Sequence, residues 1–124
     1  MELAVDYLRE MHDKLKNDYS FTGRKSLVNC GFIARELALR LFNQGKFSKM
    51  VLVRDKMGSR LIEPLRYGGR VKWGQHIVCF CEYSAYDPLL HNPVPIENYC
   101  LLAFGKELEV FDWVSEKEIA ELMK

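Results

Sequence analysis

Between residues 30 and 48 the hydrophobic pattern of this chain changes period, from 3.6 to 2. Ile33, Ala34, Leu37, Ala38 and Leu41 mark one face of a helix that runs from about residue 30 to Gln44. Gly45 then supplies the left-handed residue that stops a helix. Beyond it the apolar residues alternate, as strands require. Residues 50–54 form a short β-branched run, and 76–83 (HIVCFCEY) give eight residues without a breaker. Residues 61–65 read as a weaker strand that Pro64 confines to an edge. Helices first and strands afterwards point to an α+β architecture rather than alternating βαβ units.

The remaining elements fit that order. Leu3, Ala4, Tyr7, Leu8, Met11 and Leu15 recur at helical spacing, so residues 2–17 read as an amphipathic helix. Residues 18–28 form a polar connection, and 67–70 (YGGR) a turn without the following Lys-Ser/Thr of a phosphate loop. Residues 84–87 continue antiparallel to 76–83 until Pro88. Residues 96–104, between Pro95 and Gly105, suit a short helix, with a strand at 99–104 as the alternative. Residues 108–113 alternate as a strand, and Ser115 with Glu118 forms a capping box opening a last helix over 116–123.

The 124 residues suit one domain, 1–124. No apolar run approaches the ~20 residues of a membrane helix, and no basic-then-apolar leader opens the chain. A cytoplasmic protein is expected, or one delivered as an effector or toxin by a non-Sec route, with no membrane partner. Residues 29–74 carry ten Lys/Arg against three Asp/Glu, and 75–124 carry three against nine. A solvated surface that partly neutralises the acidic second half explains the basic middle better than a nucleic-acid patch, since no aromatic-basic ladder accompanies it. Nucleic acid is therefore not the expected partner, although a module using residues 46–72 stays open as a rival.

Four cysteines are present: Cys30, Cys79, Cys81 and Cys100. Cys79 and Cys81 alternate along the best strand and read as small hydrophobes. No second closely spaced pair completes a zinc site, so neither a metal nor an organic cofactor is expected. Reduced thiols are expected in such a chain. Cys30 differs, because Asn29 is a natural N-cap and the stripe carried back one turn lands on this sulfur. The expectation is a thiol at a helix N-terminus, where partial positive charge favours a thiolate. Gly31 beside it would leave room for a substrate.

His76 opens the best strand and Asp87 ends the next, 46 and 11 residues apart along Cys30–His76–Asp87. An imidazole beside a thiolate stabilises it and protonates the leaving group. A carboxylate on the neighbouring strand fixes the ring's tautomer. His76 and Asp87 are both expected at the exposed rim of the sheet, and Trp73 is a candidate wall of the site. His12 reads as solvated on the first helix, and His91 as a surface loop residue that could instead compete for Asp87.

The pieces Asn29-Cys30-Gly31, residues 74–78 (GQHIV) and 85–88 (AYDP) resemble the papain-like cysteine peptidase superfamily. The likeness is closest to compact bacterial papain-fold toxins and transglutaminase-like domains, and it covers about residues 27–105. The resemblance implies a nucleophile helix packed on a small antiparallel sheet. It implies Cys30 as nucleophile, His76 as base and Asp87 as orienting acid, in a hydrolase or acyl transferase acting on amide or thioester bonds of a protein or peptide. Papain has a Gln before its cysteine, where this chain offers Arg24. The Cys30 amide could supply one oxyanion donor, and Asn29, Asn17 or Gln75 the other. The rival reading is a non-catalytic papain-like domain that binds a protein partner.

Overall fold

A computed structural model describes residues 3–16 and 25–123, with the side chains of 25–29 outside that description. The chain is α+β, and its described elements come in the order α1 (Ala4–Lys14), α2 (Lys25–Asn43), β1 (Ser48–Arg54), β2 (His76–Cys81), β3 (Ser84–Tyr86), β4 (Val94–Pro95), α3 (Ile96–Phe104), β5 (Glu109–Val114) and α4 (Glu116–Leu122). The strands form an antiparallel sheet in the order β4-β3-β2-β1-β5.

Helix α2 packs against β1 and β2. Its buried stripe is Cys30, Ala34, Leu37 and Leu41, with Ile33 and Ala38 alongside. Each Leu or Ile so buried contributes roughly 1.5–3 kcal/mol. The helix ends as its Gly requires: Gly45 has φ 81°, its N–H donates to Phe42 O at 2.9 Å, and the Lys46 N–H donates to Leu41 O at 2.9 Å. The other end departs from expectation. The helix starts at Lys25, so Cys30 lies in its second turn and Asn29 is an interior position rather than a cap. Residues 25–28 contain no Gly or Pro to forbid the extra turn, and one favourable cap residue does not stop a helix that can continue.

Strand β2 is central and every residue of it is buried. Its antiparallel register on β1 sets His76 opposite Val53 and Val78 opposite Val51. The run 76–83 ends as a strand at Cys81, because Glu82 turns with φ 57° and Ser84 returns opposite Cys81. The expected strand at 61–65 is absent. Only Ile62 bridges to Trp73, and after Pro64 the chain makes one 3-10 turn over Leu65–Tyr67. Proline has no N–H for a ladder, and its φ of −65° suits the entry to a turn. Residues 96–104 are helical. At the last helix the Ser115 hydroxyl accepts from the Glu118 N–H at 3.1 Å.

Several basic residues of the middle segment face acids of the second half. Lys49 pairs with Asp112 at 3.0 Å and Arg54 with Glu109 at 3.2 Å. In the opposite sense, Lys106 of the second half pairs with Asp55 of the middle. The first two pairs are exposed, worth ~0–1 kcal/mol each, and serve mainly to balance charge, whereas Asp55 of the third is buried. Among the described residues no helix is long and apolar enough to cross a membrane.

Candidate active site

Cys30, His76 and Asp87 converge where the second turn of α2 meets the start of β2 and the end of β3. The Cys30 sulfur accepts the Ile77 N–H at 3.4 Å, so the peptide following His76 points at it. His76 Nε2 lies 2.8 Å from Asp87 Oδ2. The sulfur also hydrogen-bonds the ring, and with Nε2 engaged by Asp87 the nitrogen left for it is Nδ1. Burial works against charge on this ring, but the Asp87 carboxylate and then the Cys30 sulfur outweigh it and raise the His76 pKa to about 10.

Two aromatic groups, themselves in contact, pack on the imidazole. The Trp73 indole stacks on it, with ring centres 4.9 Å apart and planes 19° from parallel. Phe104 meets it edge-on at 5.9 Å. Trp73 is itself 2% exposed, and it bridges to Ile62 through its backbone.

Asp87 divides its two oxygens between shape and chemistry. Oδ1 accepts the Leu89 N–H at 3.1 Å, closing the turn into residues 88–90. Oδ2 takes His76 and also the hydroxyl of Tyr99, which donates to it. Sequence reasoning does not reach Tyr99. It lies on the buried face of α3 with Cys100, Ala103 and Phe104, and a fully buried tyrosine hydroxyl needs a partner. That requirement is the available signal, but nothing in the spacing names the partner.

The structure corrects four expectations. His76 and Asp87 are each 1% exposed and Cys30 is 2% exposed, so the group is enclosed rather than at an open rim. Because Cys30 sits in the second turn, it lies beyond the first-turn reach of the helix dipole, and its own N–H belongs to the helical ladder toward Ser26 rather than to an oxyanion. Gly31 is helical, and a Cβ added there would meet Ile77 Cδ1 at an ordinary 3.5 Å, so its missing side chain does not mark a substrate channel. His12 is half-buried rather than solvated: its Nδ1 lies 2.9 Å from Pro88 O and its ring meets His91 at 5.2 Å. His91 is exposed and packs on His12.

Of the second-donor candidates, Gln75 is half-buried and lines a shallow cavity of about 330 Å³ with Leu52, Arg54, Phe111 and Trp113. Asn17 and Arg24 lie outside the described residues, as does the side chain of Asn29. All four cysteines are buried, and none is in a disulfide. Burial pushes the Cys79 thiol up to about 12 and raises those of Cys81 and Cys100. No group of three or more His, Cys, Asp or Glu among the described residues could hold a metal ion.

The raised His76 pKa gives a pH signature. The folded ring keeps its proton up to about 10 against an ordinary 6.5. The stability this supplies is complete below pH ~6.5 and is lost as pH rises through ~10. Thermal melts from pH 6.5 to 10.5 should therefore show a larger fall in Tm for the wild type than for His76→Gln. Parallel curves would mean that the buried ring is neutral throughout.

No protein-family profile, curated protein or solved structure matches this chain.

Proposed function

We propose that this chain is a papain-like cysteine hydrolase or acyl transferase in which Cys30, His76 and Asp87 act as nucleophile, base and orienting acid. The observation that carries the reading is the single imidazole held between the Asp87 carboxylate at 2.8 Å and the Cys30 sulfur. Any buried imidazole needs a partner at each nitrogen, so it is the identity of the two partners that speaks for chemistry. A ring shared between a carboxylate and a thiol is the arrangement that activates sulfur.

In the proposed cycle the Cys30 thiolate attacks an amide or thioester carbonyl and a C–S bond forms. The tetrahedral adduct collapses as the imidazolium of His76 protonates the departing amine or thiol. Water or an amine, deprotonated by the now neutral ring, then cleaves the acyl thioester and restores the free sulfur. Peptidase, deamidase and transamidase reactions share these steps on a protein or peptide substrate.

The enclosure of the sulfur, and the engagement of the Cys30 amide in its helix, favour the second reading, a non-catalytic papain-like domain that binds a protein partner. One experiment separates the two. Brief iodoacetamide treatment near neutral pH, followed by mass mapping, should label Cys30 before Cys79, Cys81 and Cys100, whose thiols burial holds protonated. Equal labelling of all four in the folded protein, or none at Cys30, would leave the non-catalytic reading standing.

A further inference from the structure

Behind the Asp87 turn lies a cleft of about 630 Å³, within the size range of ligand sites. Among the described residues its lining holds three cations, Lys16, Arg66 and Arg70, together with His12 and the acid Asp13. Part of the basic surplus of residues 29–74, Arg66 and Arg70, is thus gathered at one concave place.

Arg66 is the fixed member. One guanidinium nitrogen donates to Pro88 O at 2.9 Å and lies 3.0 Å from His12 Nδ1, and the other donates to His12 O. Neither carbonyl carries a charge, so these bonds orient the cation without cancelling its charge. Burial lowers its pKa, against the opposing pull of Tyr67, Asp13 and Asp87.

The cleft also adjoins the proposed chemistry. Pro88, which Arg66 grips, follows Asp87 directly in the chain. Tyr67, another lining residue, meets Trp73 edge-on at 6.4 Å, and Trp73 is the ring stacked on His76. Two ring contacts, Tyr67 with Trp73 and Trp73 with His76, therefore connect the cleft wall to the imidazole.

We infer that this cleft is a subsite for a compact oxyanion, a carboxylate or a phosphate monoester, carried by the substrate of Cys30. The inference rests on the cysteine-hydrolase reading for its link to Cys30, and on the cleft alone for anion binding. Guanidinium and ammonium groups converging on one concave surface recognise such oxyanions through charge-assisted hydrogen bonds.

The test has two arms. In the first, the isotope-labelled full chain is titrated separately with inorganic phosphate and with acetate, and the backbone amides of Gly68 and Arg70 are followed. Saturable shifts are expected. Arg66→Gln or Arg70→Gln should weaken binding ~10-fold or more, while Arg70→Lys should retain most of it. Using Arg70 as well as Arg66 guards against a fold that depends on the Arg66 clamp. Tighter phosphate binding assigns a phosphate monoester, and acetate binding at least as tight assigns a carboxylate. No saturable shift with either anion, or affinities unchanged in both Gln variants, overturns the subsite. In the second arm, Cys30 is alkylated with anionic iodoacetate and with neutral iodoacetamide. Added phosphate should suppress the first reaction and spare the second. Anion binding without that selective competition overturns the link to the substrate. Reaction of Cys30 with neither reagent sinks the hydrolase reading instead, and the titration still decides whether the cleft binds anions.

Discussion

His76→Gln is expected to leave a folded protein whose Cys30 reacts slowly with iodoacetamide at neutral pH and whose acylation by a thioester probe falls ~10²–10⁴-fold, the range of a lost acid–base group. The ring bridges the Asp87 carboxylate and the Cys30 sulfur. With Cys30 in the second turn of α2, the helix dipole offers little to replace it. The choice of Gln matters. His76 is buried against Trp73 and Phe104, so His76→Ala would open a cavity there and leave Asp87 short of a buried donor. Breaking a buried pair in that way costs about 3–5 kcal/mol, a large share of what a small domain has. The amide of Gln can still donate to Asp87 Oδ2 but cannot accept a proton from sulfur. Circular dichroism and melting establish the fold, and unchanged alkylation kinetics in a folded His76→Gln protein would dissolve the proposed pair.

The burial that makes His76→Ala costly is the part of the site least legible in the sequence. Elements with a sustained period are readable: the α2 stripe, its Gly45 stop, the antiparallel strand of residues 76–81 and the Ser115 cap depend on neighbours within a few residues. The ordering of Cys30, His76 and Asp87 is readable too, because each sits at the end of an element or on its inward stripe. What the sequence hides depends on distant contacts or on competing local preferences. Asn29 favours a helix start at its own position, but a cap is a local preference and a further helical turn overrides it. Residues 61–65 look like an edge strand by alternation, yet Pro64 diverts the chain into the turn that brings Tyr67 to Trp73. The enclosure of His76 and Asp87 comes from α3, whose Tyr99 and Phe104 lie 23 and 28 residues beyond the histidine. No spacing rule reaches across that separation.

The same helix decides what replacing Asp87 should do. Its carboxylate accepts three donors: the Leu89 N–H on Oδ1, and His76 and the Tyr99 hydroxyl on Oδ2. An amide has one accepting end. If the oxygen of the substituted amide faced Leu89, its NH₂ would face His76 Nε2, which must then be the bare nitrogen. The ring proton would sit on Nδ1, against the sulfur, and the ring could not take the thiol proton. If the oxygen instead faced His76 and Tyr99, the NH₂ would oppose the Leu89 N–H and open the turn. Neither arrangement preserves both functions of Asp87. Single-turnover acylation of Asp87→Asn should therefore fall by as much as the ~10⁴ lost when a serine triad has its acid exchanged for the amide. Asp87→Ala leaves all three buried donors without their acceptor, and it should cost about 3–5 kcal/mol of stability as well as activity. Tyr99→Phe is the control that isolates orientation from burial. It removes one donor from Oδ2, keeps His76 on the carboxylate, and should cost ~1–2 kcal/mol of stability with less than a tenfold loss in rate. A carboxylate serving only the turn into Pro88 would predict the reverse order, because Asn is a good turn residue and would substitute freely. Full acylation by Asp87→Asn, with its Tm near that of the wild type, would remove Asp87 from the chemistry and leave Cys30 and His76 as a dyad.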